Sequence, residues 1–108
     1  MSDIDVMDPE IVDVTDTKKK LEQPKMYQVV FLNDDFTSVP FVTEMLQKFH
    51  SKNREEAEKI TSEVHTKGKA IAGVYTHEIA ETKVHQVNIA ASKNDPPYPL
   101  KTVMEPNQ

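Results

Sequence analysis

The chain has no cysteine and no tryptophan, and only two of its 108 residues are glycine. Without cysteine it cannot form a disulfide framework, a thiolate zinc site or a cysteine nucleophile. Two isolated glycines cannot build a glycine-rich loop that wraps a phosphate. No apolar run approaches the roughly 20 residues that a membrane span requires, and the amino terminus lacks the basic start and apolar core of a secretory signal. These absences predict a soluble, cytoplasmic protein that binds no membrane.

Negative charge is concentrated at the start of the chain. The net charge is −5 at pH 7, and residues 1–17 contain six acidic side chains and no basic one. Residues 1–25 combine these acids with prolines and with Ile and Val that follow no period. Such a segment cannot bury enough apolar area to offset about 1–2 kcal/mol of backbone entropy per residue. We therefore predict a disordered extension over 1–25 and one folded domain over 26–108, neither of them basic enough to bind nucleic acid.

The hydrophobic pattern of the domain predicts six elements in the order β-α-α-β-α-β. Three runs rich in β-branched and aromatic residues are predicted to be strands. The predicted strands are Met26–Leu32, Ala70–Tyr75 and Leu100–Met104, and the predicted helices follow Ser38, Asn53 and Thr76. This order is typical of an α+β fold in which a small three-stranded antiparallel sheet is covered on one face by three helices.

Capping residues predict where the helices begin and end. Ser38 is a good N-cap, with Pro40 in the first turn. Asn53 and Glu56 form a capping-box pattern, and Gly68 stands where a left-handed C-cap belongs. The inner side of the third helix, which ends near Ser92, is predicted to consist of Ile79, Ala80, Val84, Val87 and Ala91.

Few residues point to catalysis. No serine lies in a Gly-x-Ser-x-Gly elbow, and the four histidines show no i, i+4 pair of the zinc-protease kind. His77 and Glu81 are one helical turn apart, but two candidate ligands make a poor metal site. We therefore expect no catalytic residue, no cofactor and no bound metal.

The most polar point beside an apolar strand is Asn33-Asp34-Asp35. Asn and Asp commonly cap their own backbone in turns, which is the ordinary interpretation. A magnesium site is an alternative, because phosphoryl-transfer sites use one or two aspartates. His65, near the end of the second helix, favours the helix dipole when it is charged, whereas its neutral ring offers one acceptor nitrogen. A neutral His65, the Asn33 oxygen and a carboxylate would form an acceptor cluster suited to an ammonium group.

Four ordered blocks of the sequence resemble one known family. They are Met26–Thr37 with Phe41–Val42, Leu46–Phe49, Val64–Thr76 and Glu78–Val84. Their order and spacing resemble those of the ClpS adaptor proteins over nearly all of residues 26–105. The strings Val-His-x-x-Gly-Lys-Ala and Ala-Glu-Thr-Lys make this resemblance specific.

The resemblance implies an adaptor of the N-degron (N-end rule) pathway that performs no chemistry of its own. ClpS proteins bind substrates whose first residue is a bulky hydrophobe, typically Leu, Phe, Tyr or Trp. They deliver these substrates to the N-terminal domain of a Clp AAA+ unfoldase, ClpA-like or ClpC-like, which works with the ClpP peptidase. The resemblance is also the basis for expecting a monomer.

Individual positions acquire roles through the same resemblance. Asn33 and His65 match residues that accept hydrogen bonds from the substrate's α-ammonium, and Asp34 matches the carboxylate that adds charge there. Asp35 and Thr37 lie in the same loop. The hydrophobic pocket is expected to be lined by Val39, Val42, Thr61, Val64 and Leu100, with Tyr98 as the alternative to Leu100.

Two further expectations follow from matched positions. Methionine is common in the family where this chain has Val39 and Thr61, so the preference among Leu, Phe, Tyr and Trp is predicted to differ here. Glu78 and Lys83, with Phe36 at the edge, match positions that dock on the unfoldase's N-terminal domain.

Other functional classes stay open on the sequence. One is a structural domain, or a regulatory docking domain of the unfoldase, that binds no ligand. Another is a small metal-dependent hydrolase whose turnover would depend on Asp34 and Asp35. The cluster of Asn33, Asp34 and His65 distinguishes the adaptor from the structural domain, because a purely structural domain has no need of it. Absence of any metal effect on ligand binding or stability would exclude the hydrolase.

Overall fold

The computed structural model describes residues 24–107. The predicted disordered extension therefore lies outside the described residues except at its last two positions, and it stays a prediction. The six elements are β1 (Met26–Leu32), α1 (Val39–Phe49), α2 (Arg54–Lys67), β2 (Lys69–Thr76), α3 (His77–Lys93) and β3 (Lys101–Pro106). The strands form one antiparallel sheet in the order β2-β1-β3. The predicted α+β fold and element order are confirmed.

The core lies between the sheet and the three helices. Val29 and Phe31 of the central strand are fully buried, and Leu46 of α1 packs into the same cluster. Asn88 of α3 joins the edge strand β3 to the helices, since its side chain accepts from the backbone N–H of Thr102 (2.9 Å) and donates to the Thr102 carbonyl (3.2 Å). None of the helices between residues 24 and 107 is long and apolar enough to cross a bilayer.

A bulge in β2 changes which residues face the core. Val29 pairs with Gly73 but Val30 pairs with Ile71, so Ala72 has no partner across the strands. A bulge of this kind shifts the in–out alternation of a strand. Gly73 lies under the ring of Tyr75, and a Cβ at position 73 would collide with the Tyr75 hydroxyl. A side chain at position 73 would therefore have to displace the Tyr75 ring.

The predicted helix ends are confirmed. The Ser38 hydroxyl accepts from the Phe41 amide, and the capping box of Asn53 and Glu56 is complete. Gly68 adopts φ 89°, the left-handed conformation that ends α2. Thr76 stands at the N-cap of α3, but its side chain makes no capping hydrogen bond.

Ile79 does not lie on the inner side of α3 as predicted. Its side chain is 49% exposed, whereas Ala80, Val87 and Ala91 are buried and Val84 packs against the core. Residues that follow one another along a helix are rotated by about 100°. The stripe that begins at Ala80 faces the sheet, so the adjacent Ile79 points away from it.

Candidate functional site

A cavity of about 190 Å³ lies between the loop that follows β1 and the helices α1 and α2. It is lined by Asn33, Asp34, Asp35, Thr37, Val39, Val42, Thr61, Val64 and His65. The fold thus brings together residues from three separate elements. Every residue predicted for the amine site and its loop is present, and so is every residue predicted for the hydrophobic pocket except Leu100.

A backbone hydrogen bond joins the two halves of the polar rim. The Asn33 amide donates to the Gly68 carbonyl over 2.9 Å, which ties the loop after β1 to the end of α2. His65 occupies the last turn of that helix. The left-handed Gly68 therefore serves the site as well as the helix end, because its carbonyl anchors Asn33 near the turn that carries His65.

Asp34 shapes the loop that forms one wall of the cavity. Its Oδ1 accepts from the amides of Phe36 (2.7 Å) and Thr37 (2.6 Å), and its Oδ2 accepts from the Thr37 hydroxyl (2.8 Å). Burial raises the pKa of Asp34, but these three hydrogen bonds outweigh it and the pKa is lowered. Asp34 therefore caps its own turn and carries a negative charge at the rim. Since a carboxylate has about four acceptor positions and three are occupied, about one remains for a ligand.

The inner wall of the cavity is apolar except for one hydroxyl. Val42 and Val64 are buried, whereas Val39 is exposed at the rim. The Thr61 hydroxyl donates to the Ala57 carbonyl over 2.7 Å and lies 3.0 Å from the hydroxyl of Thr43. The Thr61 hydroxyl thus has one partner within its own helix and one on α1.

A larger groove of about 560 Å³ runs along the outside of α1 and α2. It shares Val39, Thr61 and His65 with the smaller cavity, so these three residues border both spaces. Its other lining residues are Pro40, Thr43, Glu44, Gln47, Arg54, Glu58 and Ser62. This groove was not predicted from the sequence. Its lining residues recur every three or four positions along each helix, and that spacing is a signal that could have placed them on one surface.

Neither candidate for the last pocket position lines the cavity. Leu100 is buried in the core cluster. Tyr98 packs against the Phe41 ring, with 4.8 Å between ring centroids, and its hydroxyl donates to the Ser38 hydroxyl over 3.2 Å. Tyr98 therefore packs against the first turn of α1, and Leu100 belongs to the core cluster that also contains Val42 and Val64.

The residues matched to unfoldase docking lie outside the cavity. Phe36 is 78% exposed, and Glu78 is exposed in the first turn of α3. Lys83 is held in place, because its ammonium group donates to the Phe49 carbonyl over 2.6 Å and lies 5.7 Å from the centre of the Tyr75 ring. It therefore presents its charge beside the end of α1.

In the part of the chain that the structure describes, no group of three or more His, Cys, Asp or Glu side chains could hold a metal ion. His77 packs its ring edge against Tyr27, with 4.9 Å between ring centroids. Asp34 has three of its acceptor positions occupied by its own loop. A magnesium site at this loop is thus disfavoured by the hydrogen bonding of Asp34.

Comparison with known proteins points to one family. The model of the family described as ATP-dependent Clp protease adaptor protein ClpS matches residues 22–103. The adapter protein ClpS of Phenylobacterium zucineum is 46% identical over 92 residues, covering 85% of this chain and 83% of that protein. The ClpS of Bdellovibrio bacteriovorus is 50% identical over 86 residues, covering 80% of this chain and 74% of that protein.

A solved structure agrees with these relatives. Agrobacterium tumefaciens ClpS2, solved with L-phenylalaninamide bound, superimposes with a TM-score of 0.74 at 30% sequence identity. The match covers 79% of this chain and 100% of that one. The fold, the family model and the curated relatives agree, and the chain belongs to the ClpS family of adaptors of the ATP-dependent Clp protease.

Proposed function

We propose that this protein binds substrates through a bulky hydrophobic N-terminal residue, Leu, Phe, Tyr or Trp, and delivers them to a Clp AAA+ unfoldase and ClpP in the cytoplasm. The observation that carries the proposal is the composition of the cavity wall. Acceptor groups of Asn33, Asp34 and His65 line one part of it, and apolar side chains line the rest. Binding requires no cofactor and no catalytic residue.

The polar rim suits an α-ammonium group. Such a group has three N–H donors and loses its hydration on binding, so each donor needs an acceptor. The Asn33 side-chain oxygen, a neutral His65 ring nitrogen and the remaining acceptor position of Asp34 supply three. The negative charge of Asp34 also offsets the positive charge of the ligand. Acetylation of the amine removes the charge and two of its donors, so the site distinguishes a free N-terminus from a blocked one.

The apolar wall suits one large side chain. Burial of a Leu or Phe side chain is worth roughly 1.5–3 kcal/mol, and Val42 and Val64 provide buried surface for it. The similar Agrobacterium tumefaciens ClpS2 was solved with L-phenylalaninamide, a ligand that joins a bulky apolar side chain to an amino group. That ligand supports the same chemical class for this chain.

The direct test is fluorescence anisotropy with a labelled peptide that begins with Phe, measured beside its N-acetylated twin. Micromolar or tighter binding of the free peptide alone supports the proposal. Failure of the free peptide to bind would favour the alternative, a regulatory docking domain of the unfoldase that carries no substrate.

The ranking of N-terminal residues is expected to depend on Val39 and Thr61. Valine is stiffer than methionine, and threonine is smaller and adds a hydroxyl. Val39→Met and Thr61→Met are therefore expected to change the order of affinities for peptides that begin with Leu, Phe, Tyr and Trp. Competition anisotropy measures that order. An unchanged order in both variants would contradict the prediction, and Ile89→Met, on exposed α3 surface, controls for added methionine.

Docking on the unfoldase's N-terminal domain is proposed for Glu78, Lys83 and Phe36. Replacement of Glu78 by Lys together with Lys83 by Met is expected to weaken capture by that domain by at least about 1 kcal/mol, roughly fivefold. The methionine keeps an apolar stem over Tyr75. Capture on immobilised N-terminal domains of a ClpA-like and a ClpC-like unfoldase measures this effect and identifies the partner.

Binding of the Phe peptide is expected to be unchanged in that double variant, because neither residue lines the cavity. The matched control is Glu81→Lys with Lys93→Met, a pair of exposed residues on the same helix. Equal loss of capture in both double variants would show a general charge effect and would refute specific docking.

A further inference from the structure

The sheet has an outer face, which points away from the helices and carries apolar side chains. Successive residues of a strand point to opposite faces. Because Val29 and Phe31 point into the core, their neighbour Val30 points outward. The outer face is defined here by Val30, Leu32, Ile71, Val74 and Val103. Of these, Ile71 and Val74 are 48% and 42% exposed, Leu32 and Val103 are half-buried, and Val30 between its neighbours is 2% exposed.

The strand register arranges the outer face in three rows. Leu32 lies between Lys69 and Lys101, which are both exposed. Val30 lies between Ile71 and Val103 in the next row. In the third row, Gln28 lies between Val74 and Glu105 and donates to the Glu105 carboxylate over 2.8 Å. The face is thus apolar in the middle and positively charged at one end.

This pattern is complementary to the beginning of the same chain. Residues 1–17 hold six acidic side chains and no basic one, together with Ile, Val and Met. A segment of that composition has too little apolar surface to form its own core, whereas the outer face offers apolar surface beside two cations. We infer that residues 1–17 bind the outer face of the sheet in the same molecule.

The chain is long enough for this contact. Met26 begins β1, the central strand of the sheet, and residues 18–25 connect it to the acidic segment. Eight residues span up to about 26–29 Å. The seven residues of β1 extend over roughly 23 Å. The segment can therefore turn back and reach both the apolar row and the lysine row, and its attachment raises its effective concentration to the millimolar range.

The lack of cysteine makes a direct test possible, because Ser2→Cys in the full chain gives a single site for a nitroxide spin label. The amide signals of Val30, Ile71 and Val103 are expected to lose intensity in an NMR spectrum of the labelled protein. Signals of α2, on the opposite side of the sheet, are expected to persist. Raising the ionic strength from about 0.01 M to 0.15 M shortens the Debye length from about 30 Å to 8 Å, so the loss is expected to diminish.

Charge reversal separates binding to the outer face from general attraction. Lys69→Glu with Lys101→Glu is expected to restore the lost signals, whereas Lys59→Glu with Lys93→Glu, which makes the same change of charge on α2 and α3, is expected not to restore them. Equal effects of the two pairs, or a loss of intensity spread evenly over the domain, would overturn the inference.

A mixture of spin-labelled molecules without isotope and isotope-labelled molecules without spin label tests whether the contact is made within one molecule. Loss of the same signals in this mixture would mean that the segment binds a second copy of the chain, and would overturn binding within one molecule. Retention of the signals in the mixture, together with their loss in the singly labelled protein, supports it.

Discussion

Replacement of Asn33 or His65 by alanine is expected to weaken binding of a Phe-initiated peptide roughly 10- to 100-fold, because each variant removes one hydrogen bond to a charged group, worth about 1.5–3 kcal/mol. Neither side chain is needed for the core, since both are exposed at the cavity rim. The protein is therefore expected to fold normally in both variants. Anisotropy titrations with the free and the N-acetylated peptide measure the loss.

The matched control for this prediction is His85→Ala, which removes an exposed histidine from α3. It should leave the affinity unchanged. Asn33 and His65 variants that bind the free peptide as tightly as the parent protein would contradict the role of these side chains. Tight binding of the acetylated peptide would refute recognition of the amine altogether.

A pH series tests the role of His65 in a second way. A neutral imidazole has one acceptor nitrogen, whereas a protonated imidazole has only donors and repels an ammonium group. Protonation of His65 therefore opposes binding, and affinity is expected to be lower in acid than at neutral pH. Equal affinity at the two pH values would contradict this role, and His65→Ala serves as the control because it should remove the pH dependence.

Acid is expected to destabilise the fold through a different histidine, His50. This residue caps the end of α1 and is only 4% exposed. Its Nδ1 lies 2.8 Å from the Tyr75 hydroxyl, and its Nε2 is buried without a partner. Burial lowers the pKa of His50 from 6.5 to about 4, and the positive charges of Lys83 and Lys52 act in the same direction.

The direction of the effect follows from proton uptake. Because the pKa is lower in the folded state, the unfolded chain binds the proton first as pH falls. The stability that depends on neutral His50 is complete above pH 6.5 and is lost as pH falls from 6.5 towards 4. Over this range the unfolded chain holds the proton and the folded protein does not, which costs about 1.4 kcal/mol of stability for each pH unit. The free energy of unfolding is therefore expected to drop by about 2–3 kcal/mol between pH 7 and 4.5. Asp34 adds to the loss only at lower pH, near its ordinary value of 3.8.

Paired substitution isolates His50. His50→Phe alone leaves the Tyr75 hydroxyl without its partner and is expected to cost about 1–3 kcal/mol at pH 7, whereas His50→Phe with Tyr75→Phe removes both polar groups and is expected to cost less. The double variant should also lose less stability on acidification than the parent protein. Urea denaturation followed by circular dichroism at pH 7 and 4.5 measures both effects. An equal loss of stability on acidification in the parent protein and the double variant would contradict the role of His50. Peptide binding by the double variant separates an effect of acid on His65 from an effect of acid on the fold.

The local features of this protein could be predicted from the sequence because each depends on residues close together in the chain. The run Met26–Leu32 is a strand as predicted. The capping box at Asn53 and the left-handed Gly68 are formed by side chains and backbone within a few positions of each other. The turn at Asp34 is likewise local, since its partners lie two and three residues away.

The cavity residues could be assigned in advance only because four blocks of sequence resemble a known family. The positions of Asn33 and His65 in the sequence do not reveal how close the two residues lie in space. They are brought together by the hydrogen bond from the backbone amide of Asn33 to the Gly68 carbonyl. Leu100 is assigned through the same resemblance. It is apolar and packs in the core cluster with Val42 and Val64, although it is not among the residues that line the cavity.

Contacts between distant elements were decided by packing. The bulge at Ala72 and the space above Gly73 bring Tyr75 to the core side of the sheet, where it meets His50 from the end of α1. The groove along α1 and α2 and the exposure of Ile79 depend in the same way on how the helices are rotated on the sheet. The sequence of a helix specifies its apolar stripe within about one turn. The final rotation of the helix is the one that leaves the fewest buried voids against all of its neighbours. That rotation is therefore decided only in the assembled fold.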